Sequence, residues 1–300
     1  MYHHPSIAIG TFFKGQSRSL LFTLALFIIP VSYARAWQQI APGLQLQTFT
    51  LSRTDQGKSP QLSILKIDPA RYTFTLITTS RYQQHLATLK EWSEREGLTA
   101  AINASMYRED HQQSTGYMKT QGHINNGYIN PRFGAFMVFS PKDTSLPQVQ
   151  ILDRSLQDWK HIIPSYDTVI QNFRLINSQQ KNLWPKTRKA HSIAAIGIDA
   201  QRQVLFIHCQ TPLTIHEFNE ALLNLPLDIF NAMYVEGGPE AAMYLKTATI
   251  ERSWPGRYEH PVLGTIHQKL WPIPNVIGIV PKEYTQACPE NGNQGEPPCK

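Results

Sequence analysis

Short runs with a two-residue alternation of apolar and polar side chains recur along most of this chain, and they constrain its fold more than any other feature. LQLQTFTL (Leu44 to Leu51), QLSILKI (Gln61 to Ile67) and YTFTLIT (Tyr72 to Thr78) each place every second side chain on one face, as a half-buried strand does. Gly57, Pro60 and the Asp68-Pro69 pair lie between them, so the three runs read as an antiparallel meander. Further strands are expected at LTAAIN (Leu98 to Asn103), FGAFMVF (Phe133 to Phe139), VQILD (Val149 to Asp153), TVIQNFRLI (Thr168 to Ile176) and NVIGIV (Asn275 to Val280). SIAAIGID (Ser192 to Asp199) and QVLFIHC (Gln203 to Cys209) read as a hairpin across Ala200-Gln201-Arg202. Only two stretches carry a helical period. HLATLKEWSEREG (His85 to Gly97) puts Leu86, Leu89 and Trp92 on one face and ends on a glycine, and TIHEFNEALLNL (Thr214 to Leu225) opens with a Thr214/Glu217 capping box. The latter buries Ile215, Phe218, Leu222 and Leu225 as one stripe. A long polar stretch, Tyr107 to Pro131, shows no period, and long loops of this kind often carry function. Charge and composition do not shift enough to mark a boundary, which predicts a single α+β domain with a mixed, largely antiparallel sheet flanked by helices.

The N-terminus reads differently. Lys14 and Arg18 precede an apolar run of about a dozen residues, Ser19 to Val31, short of the ~20 that span a bilayer. Ala34 and Ala36 form the small-x-small pattern that signal peptidase accepts. The expected organisation is a signal peptide over 1–36, a domain over 37–284 and a polar tail over 285–300, in an exported and periplasmic protein whose mature part does not span the membrane. Loss of Lys14, Arg18 and Arg35 leaves 25 basic against 22 acidic residues, so the formal charge falls from +6 to +3. No basic block with interleaved aromatics is present, which argues against nucleic-acid binding. Cys288 and Cys299 flank the tail and can pair after export, whereas Cys209, inside an apolar strand, is expected to be a buried thiol.

Chemistry concentrates in NAMYVEGGPEAAMYL, Asn231 to Leu245. A short apolar strand ends on Glu236. Gly237 and Gly238 follow, then Pro239 at a position suited to a helix start, then Glu240 opening a run that can be helical. A carboxylate beside bare backbone N–H groups is one way to build a site. The same stretch also reads as a tight turn with Glu236 solvated. AINASMY, Ala101 to Tyr107, is a similar junction in which Asn103 ends the strand, and side-by-side strand ends would let Asn103 and Glu236 share a cleft. His208 and Cys209 are adjacent on a strand and point to opposite faces, a poor metal pair. No HExxH, GxSxG or P-loop pattern occurs, so neither a metal nor another cofactor is expected.

AINASMY, STGYMKTQGHINN, HSIAAIGID and MYVEGGPEAAMYL, in that order, resemble the phosphodiester glycosidase domain family over roughly Leu62 to Val280. That family includes the lysosomal uncovering enzyme, and the similarity is greatest to its exported bacterial branch. Asn103 matches a family asparagine that is usually followed by two glycines, here Ala104 and Ser105. Glu236 stands where the family usually has aspartate. His191, Ser192 and Ile193 stand where many relatives have an arginine. The resemblance implies hydrolysis of a sugar–phosphate diester in an envelope glycan or glycolipid, with a carbohydrate or phosphoglycan as partner. It implies Glu236 as base or nucleophile, and His191 and Arg174 as phosphate contacts, Arg174 standing in for the missing arginine. Asn103, Tyr107, Gly116, Glu240 and the backbone of Gly237 and Gly238 would then contact substrate. The lost arginine also motivates an alternative, an envelope protein that binds glycans or a partner without catalysis.

Overall fold

A computed structural model describes residues 36–52, 59–82, 85–257, 259–260, 264–265 and 269–282. Residues 1–35 of the expected signal segment, the polar tail and the Cys288/Cys299 pair lie outside these residues.

In chain order the strands are β1 (Gln38–Ala41), β2 (Leu44–Thr50), β3 (Gln61–Ile67), β4 (Tyr72–Thr78), β5 (Ala100–Asn103), β6 (Met118–Thr120), β7 (His123–Asn126), β8 (Ala135–Pro141), β9 (Val149–Asp153) and β10 (Tyr166–Asn172). They continue with β11 (Arg174–Ile176), β12 (His191–Asp199), β13 (Val204–Leu213), β14 (Ile229–Gly237), β15 (Met243–Lys246), β16 (Glu251–Trp254), β17 (Glu259–His260), β18 (Gly264–Thr265) and β19 (Asn275–Pro281). The α-helices are α1 (Thr79–Tyr82), α2 (Leu89–Glu96), α3 (Trp159–Ile162) and α4 (Ile215–Asn224).

Three sheets carry the fold. The largest runs β1-β2-β3-β13-β12-β14-β11, the second β7-β6-β10-β8-β9, and the third β16-β15-β5-β19-β4. Every strand pairing among the described residues is antiparallel. The architecture is therefore richer in β-structure than the expected α+β domain, and its sheets are antiparallel rather than mixed. The cause is the alternation itself. Leu65, Phe74, Ile102, Met137, Phe206, Met233 and Ile277, from all three sheets, fill one shared core. The intervening residues form separate outer layers. Helix α4 covers one of them, with Phe218 and Leu222 packed on Ile64, Ile193 and Ile207. Helix α2 covers another, with Leu89 and Trp92 packed on Ile77, Ala101 and Tyr244.

Strands β2, β3, β4 and β9 and the β12–β13 hairpin fall where the alternation places them. The capping box of α4 forms as read, and α2 ends on Gly97 in a left-handed conformation, as expected. The start of α2 differs: Thr88 and Glu91 make a second capping box there, so Leu86 precedes the helix and is 36% exposed. Three other elements depart from expectation. The polar stretch after Tyr107 contains the β6–β7 hairpin, turned by Gln121 and Gly122, both at positive φ. Thr168 to Ile176 is two strands in two sheets, because the chain turns a corner at Asn172 and Phe173. The run after Glu240 is a strand, not a helix. Met243 and Leu245 enter the central core while Ala242 and Tyr244 enter the layer under α2, and two apolar layers demand a two-residue period.

Candidate active site

The site is built on the turn that links β14 to β15. At the end of β14 the register with β12 shifts: Ala195 pairs with Tyr234, but Ala194 pairs with Glu236. Gly237 then pairs with Ile193, and Gly238 to Glu240 form one 3₁₀ turn. Glycine is required at both positions. A Cβ on Gly237 would lie 2.0 Å from the Tyr234 hydroxyl and 2.5 Å from Cδ2 of His191, and Gly238 has φ +72°.

Buried groups on three sides hold the turn. Asn103, 1% exposed at the end of β5, donates from Nδ2 to the Glu240 carbonyl (3.0 Å) and accepts from the Ala242 N–H (2.7 Å). His208 reaches the Ala241 carbonyl through Nε2 (3.2 Å). Burial presses the His208 pKa down to about 4, so the ring is neutral and Nε2–H is the donor. Gly256 packs so closely that a Cβ there would meet the Gly238 carbonyl oxygen at 2.1 Å. Asn103 and Glu236 thus belong to different sheets rather than to one row of strand ends. Asn103 reaches the turn through its amide, and both of its polar ends are used by the backbone.

Two carboxyls sit in this frame. Glu236 is 8% exposed, and its Oε1 accepts from the Gly237 N–H at 2.9 Å. Burial pushes its pKa up to about 8; the Gly237 bond opposes the rise and the nearby Glu240 charge adds to it. Glu240 is also raised by burial, against its backbone hydrogen bond and the influence of His111. Tyr107 and Tyr234 are raised chiefly by burial, and both feel the two carboxylates. The Tyr107 ring lies 5.5 Å from that of His111. The Tyr234 hydroxyl lies 3.3 Å from Nε2 of His191, whose pKa is lowered by burial and then by Lys189. Glu236, Glu240, Tyr107, Tyr234, His191 and His111 therefore form one electrostatic cluster around two glycines.

Of the residues singled out in the sequence, Glu236, Glu240, Gly237, Gly238, Tyr107 and His191 come together here. Arg174 does not join them: its guanidinium pairs with the buried Asp153 and donates to Ser155 Oγ at 2.6 Å. Gly116 serves packing, since a Cβ there would meet the Phe133 ring at 2.6 Å and the Gln171 carbonyl oxygen at 2.7 Å. Sequence reading missed Tyr234, His111, His208 and Gly256. Tyr234 stands two residues before Glu236 and is brought beside it by the register shift, which no local pattern announces. Cys209 and His208 do face opposite layers: the thiol lies in the layer under α4, pushed up to about 12 by burial, while His208 turns toward Ala241. Among the described residues no three His, Cys, Asp or Glu side chains are arranged to hold a metal ion.

A carboxyl held neutral at pH 7 can donate a proton, and a second carboxyl of lower pKa beside it can accept one. The sequence matches the phosphodiester glycosidase family over residues 96–280. Two solved structures share the fold. One is the zebrafish N-acetylglucosamine-1-phosphodiester alpha-N-acetylglucosaminidase catalytic domain auto-inhibited by its pro-peptide, with 14% identity, 81% of this chain and 85% of that chain covered, and a TM-score of 0.58. The other is a hypothetical protein from Synechocystis, with 12% identity, 80% and 62% covered, and a TM-score of 0.52. No curated protein sequence matches the chain.

Proposed function

The chain belongs to the phosphodiester glycosidase family, and from that membership we propose that it is an exported hydrolase cleaving a sugar–phosphate diester at the anomeric carbon, in an envelope glycan or glycolipid. The observation that carries this reading is the pair of unequal carboxyls at the β14–β15 turn. Glu236, raised to about 8, is the general acid, a different role from the base or nucleophile expected from sequence. Glu240, half-buried and less strongly perturbed, is the base. The bond between the anomeric carbon and the phosphate oxygen breaks, and Glu236 gives its proton to that oxygen. A water oxygen bonds to the anomeric carbon as Glu240 takes its proton. The products are a free sugar and a phosphomonoester, and proton exchange with solvent resets the pair. In this scheme His191 and the Gly238 backbone are the phosphate contacts, the Gly237 N–H being held by Glu236 Oε1. Tyr107, which feels both carboxylates, is the sugar contact. Asn103 positions the turn.

The engagement of Arg174 by Asp153 and Ser155 favours a second reading, a glycan-binding protein without turnover, because the cation expected to replace the missing arginine is already committed. Incubation with sugar phosphodiesters in ¹⁸O-water separates the readings. Label in the released sugar is expected. Label in the phosphomonoester would mean P–O cleavage and would overturn the glycosidase assignment, and binding without product would favour the second reading.

A further inference from the structure

A cavity of about 770 Å³ opens where the largest sheet meets α2 and β16, and none of the turn residues Glu236 to Glu240 lines it. Its size lies in the range of small-ligand sites. Eight of its fourteen lining residues are Ser, Thr or Gln, which rules against an apolar ligand. The rest include Trp254, Lys90 and Lys269, and no carboxylate appears among the described lining residues. Lys90 is paired with Glu251 at 2.8 Å, whereas Lys269 has no carboxylate partner among the described residues. A pyranose presents an apolar C–H face, a rim of hydroxyls and, when phosphorylated, a negative charge. An indole, a set of amides and hydroxyls, and an ammonium without a carboxylate partner among the described residues match those three features in turn.

We propose that this cavity binds an anionic saccharide, at a site separate from the Glu236 turn. Trp254 supplies the stacking face, Gln61 and Gln210 supply hydroxyl contacts, and Lys269 meets the charge. The wall between the two sites is short. His208 lines the cavity and holds the Ala241 carbonyl, and Gln210 donates from Nε2 to the Pro255 carbonyl at 3.1 Å, one residue before the Gly256 that packs on the turn. The proposal does not depend on catalysis, so it is tested on protein carrying Glu236→Gln.

Calorimetric titration with glucose 6-phosphate, glucose and inorganic phosphate is the experiment. Glucose 6-phosphate is expected to bind with a Kd below about 10 mM, at least tenfold tighter than either glucose or phosphate. Trp254→Ala is expected to weaken it tenfold or more, Lys269→Gln about fivefold, and Trp254→Phe less than threefold, since the ring face is kept. Because Trp254 packs partly against the core, Lys269→Gln serves as the variant free of folding effects. No binding by 10 mM, an unchanged Kd in both Trp254→Ala and Lys269→Gln, or phosphate binding as tightly as the sugar phosphate would each overturn the proposal.

Discussion

Replacing Glu236 by Gln keeps the shape and the acceptor for the Gly237 N–H while removing the ionisable group. A carboxyl whose folded pKa exceeds its unfolded value binds more protons when folded. The stability it allows is therefore present at low pH and is lost as pH rises from 4.5 through about 8. The neutral variant has no such loss. Working the linkage between those two values, the stability of Glu236→Gln relative to the parent grows by roughly 3–4 kcal/mol between pH 5 and pH 9. Other titrating groups are common to both proteins and drop out of the difference. Urea unfolding at pH 5, 7 and 9 reads it through the midpoint at constant m. The two proteins should be nearly equal at pH 5, with the variant well ahead at pH 9. A difference that stays within about 0.5 kcal/mol over this range would mean that Glu236 ionises as it does in water, and the acid role would fall with it.

Three further outcomes follow from the same geometry. Asn103→Ala leaves the buried Ala242 N–H without its acceptor and opens a small void, so it should cost roughly 2–4 kcal/mol in urea unfolding; a loss under about 0.5 kcal/mol would show that the turn does not depend on it. Gly237→Ala drives a methyl into the Tyr234 hydroxyl and His191, a cost of about 1–3 kcal/mol that Tyr234→Phe should partly relieve in a double-mutant cycle; strict additivity would contradict the contact. Arg174→Gln strands the buried Asp153 carboxylate and should lower stability by about 3–5 kcal/mol, with Asp153→Asn recovering part of it, while turnover per folded molecule stays within threefold. A large fall in turnover with stability intact would return Arg174 to the site.

What the sequence made legible follows from how local each determinant is. Strands β3 and β4 are bounded correctly because Pro60 and Asp68-Pro69 close them, although β3 buries both faces, Leu65 and Ile67 in the central core and Leu62 and Ile64 in the layer under α4. Helix α4 is legible because its capping box and apolar stripe lie within twelve residues. The strand β15 is not, because Ala-Ala-Met-Tyr-Leu carries good helix formers and its true period comes from two apolar layers supplied by distant segments. Glu236 and its glycines could be found because the turn is contiguous. The clamp on that turn could not, since Asn103, His208 and Gly256 reach it from 139, 33 and 18 residues away, the first two being the separations of their hydrogen bonds to Ala242 and Ala241. Arg174 misled for the converse reason. A lone arginine on a strand shows its charge, but its partner Asp153 is chosen by the corner at Asn172 and Phe173.

The central claim is that the Glu236 carboxyl drives scission of a sugar–phosphate diester. Turnover of a panel of sugar phosphodiesters by the parent protein and by Glu236→Gln at pH 6.5, each confirmed folded, tests it most directly. The account predicts release of free sugar and phosphomonoester by the parent and a fall in kcat of about 10²–10⁴ in the variant, as expected for loss of a general acid. Equal turnover by the two proteins would contradict it.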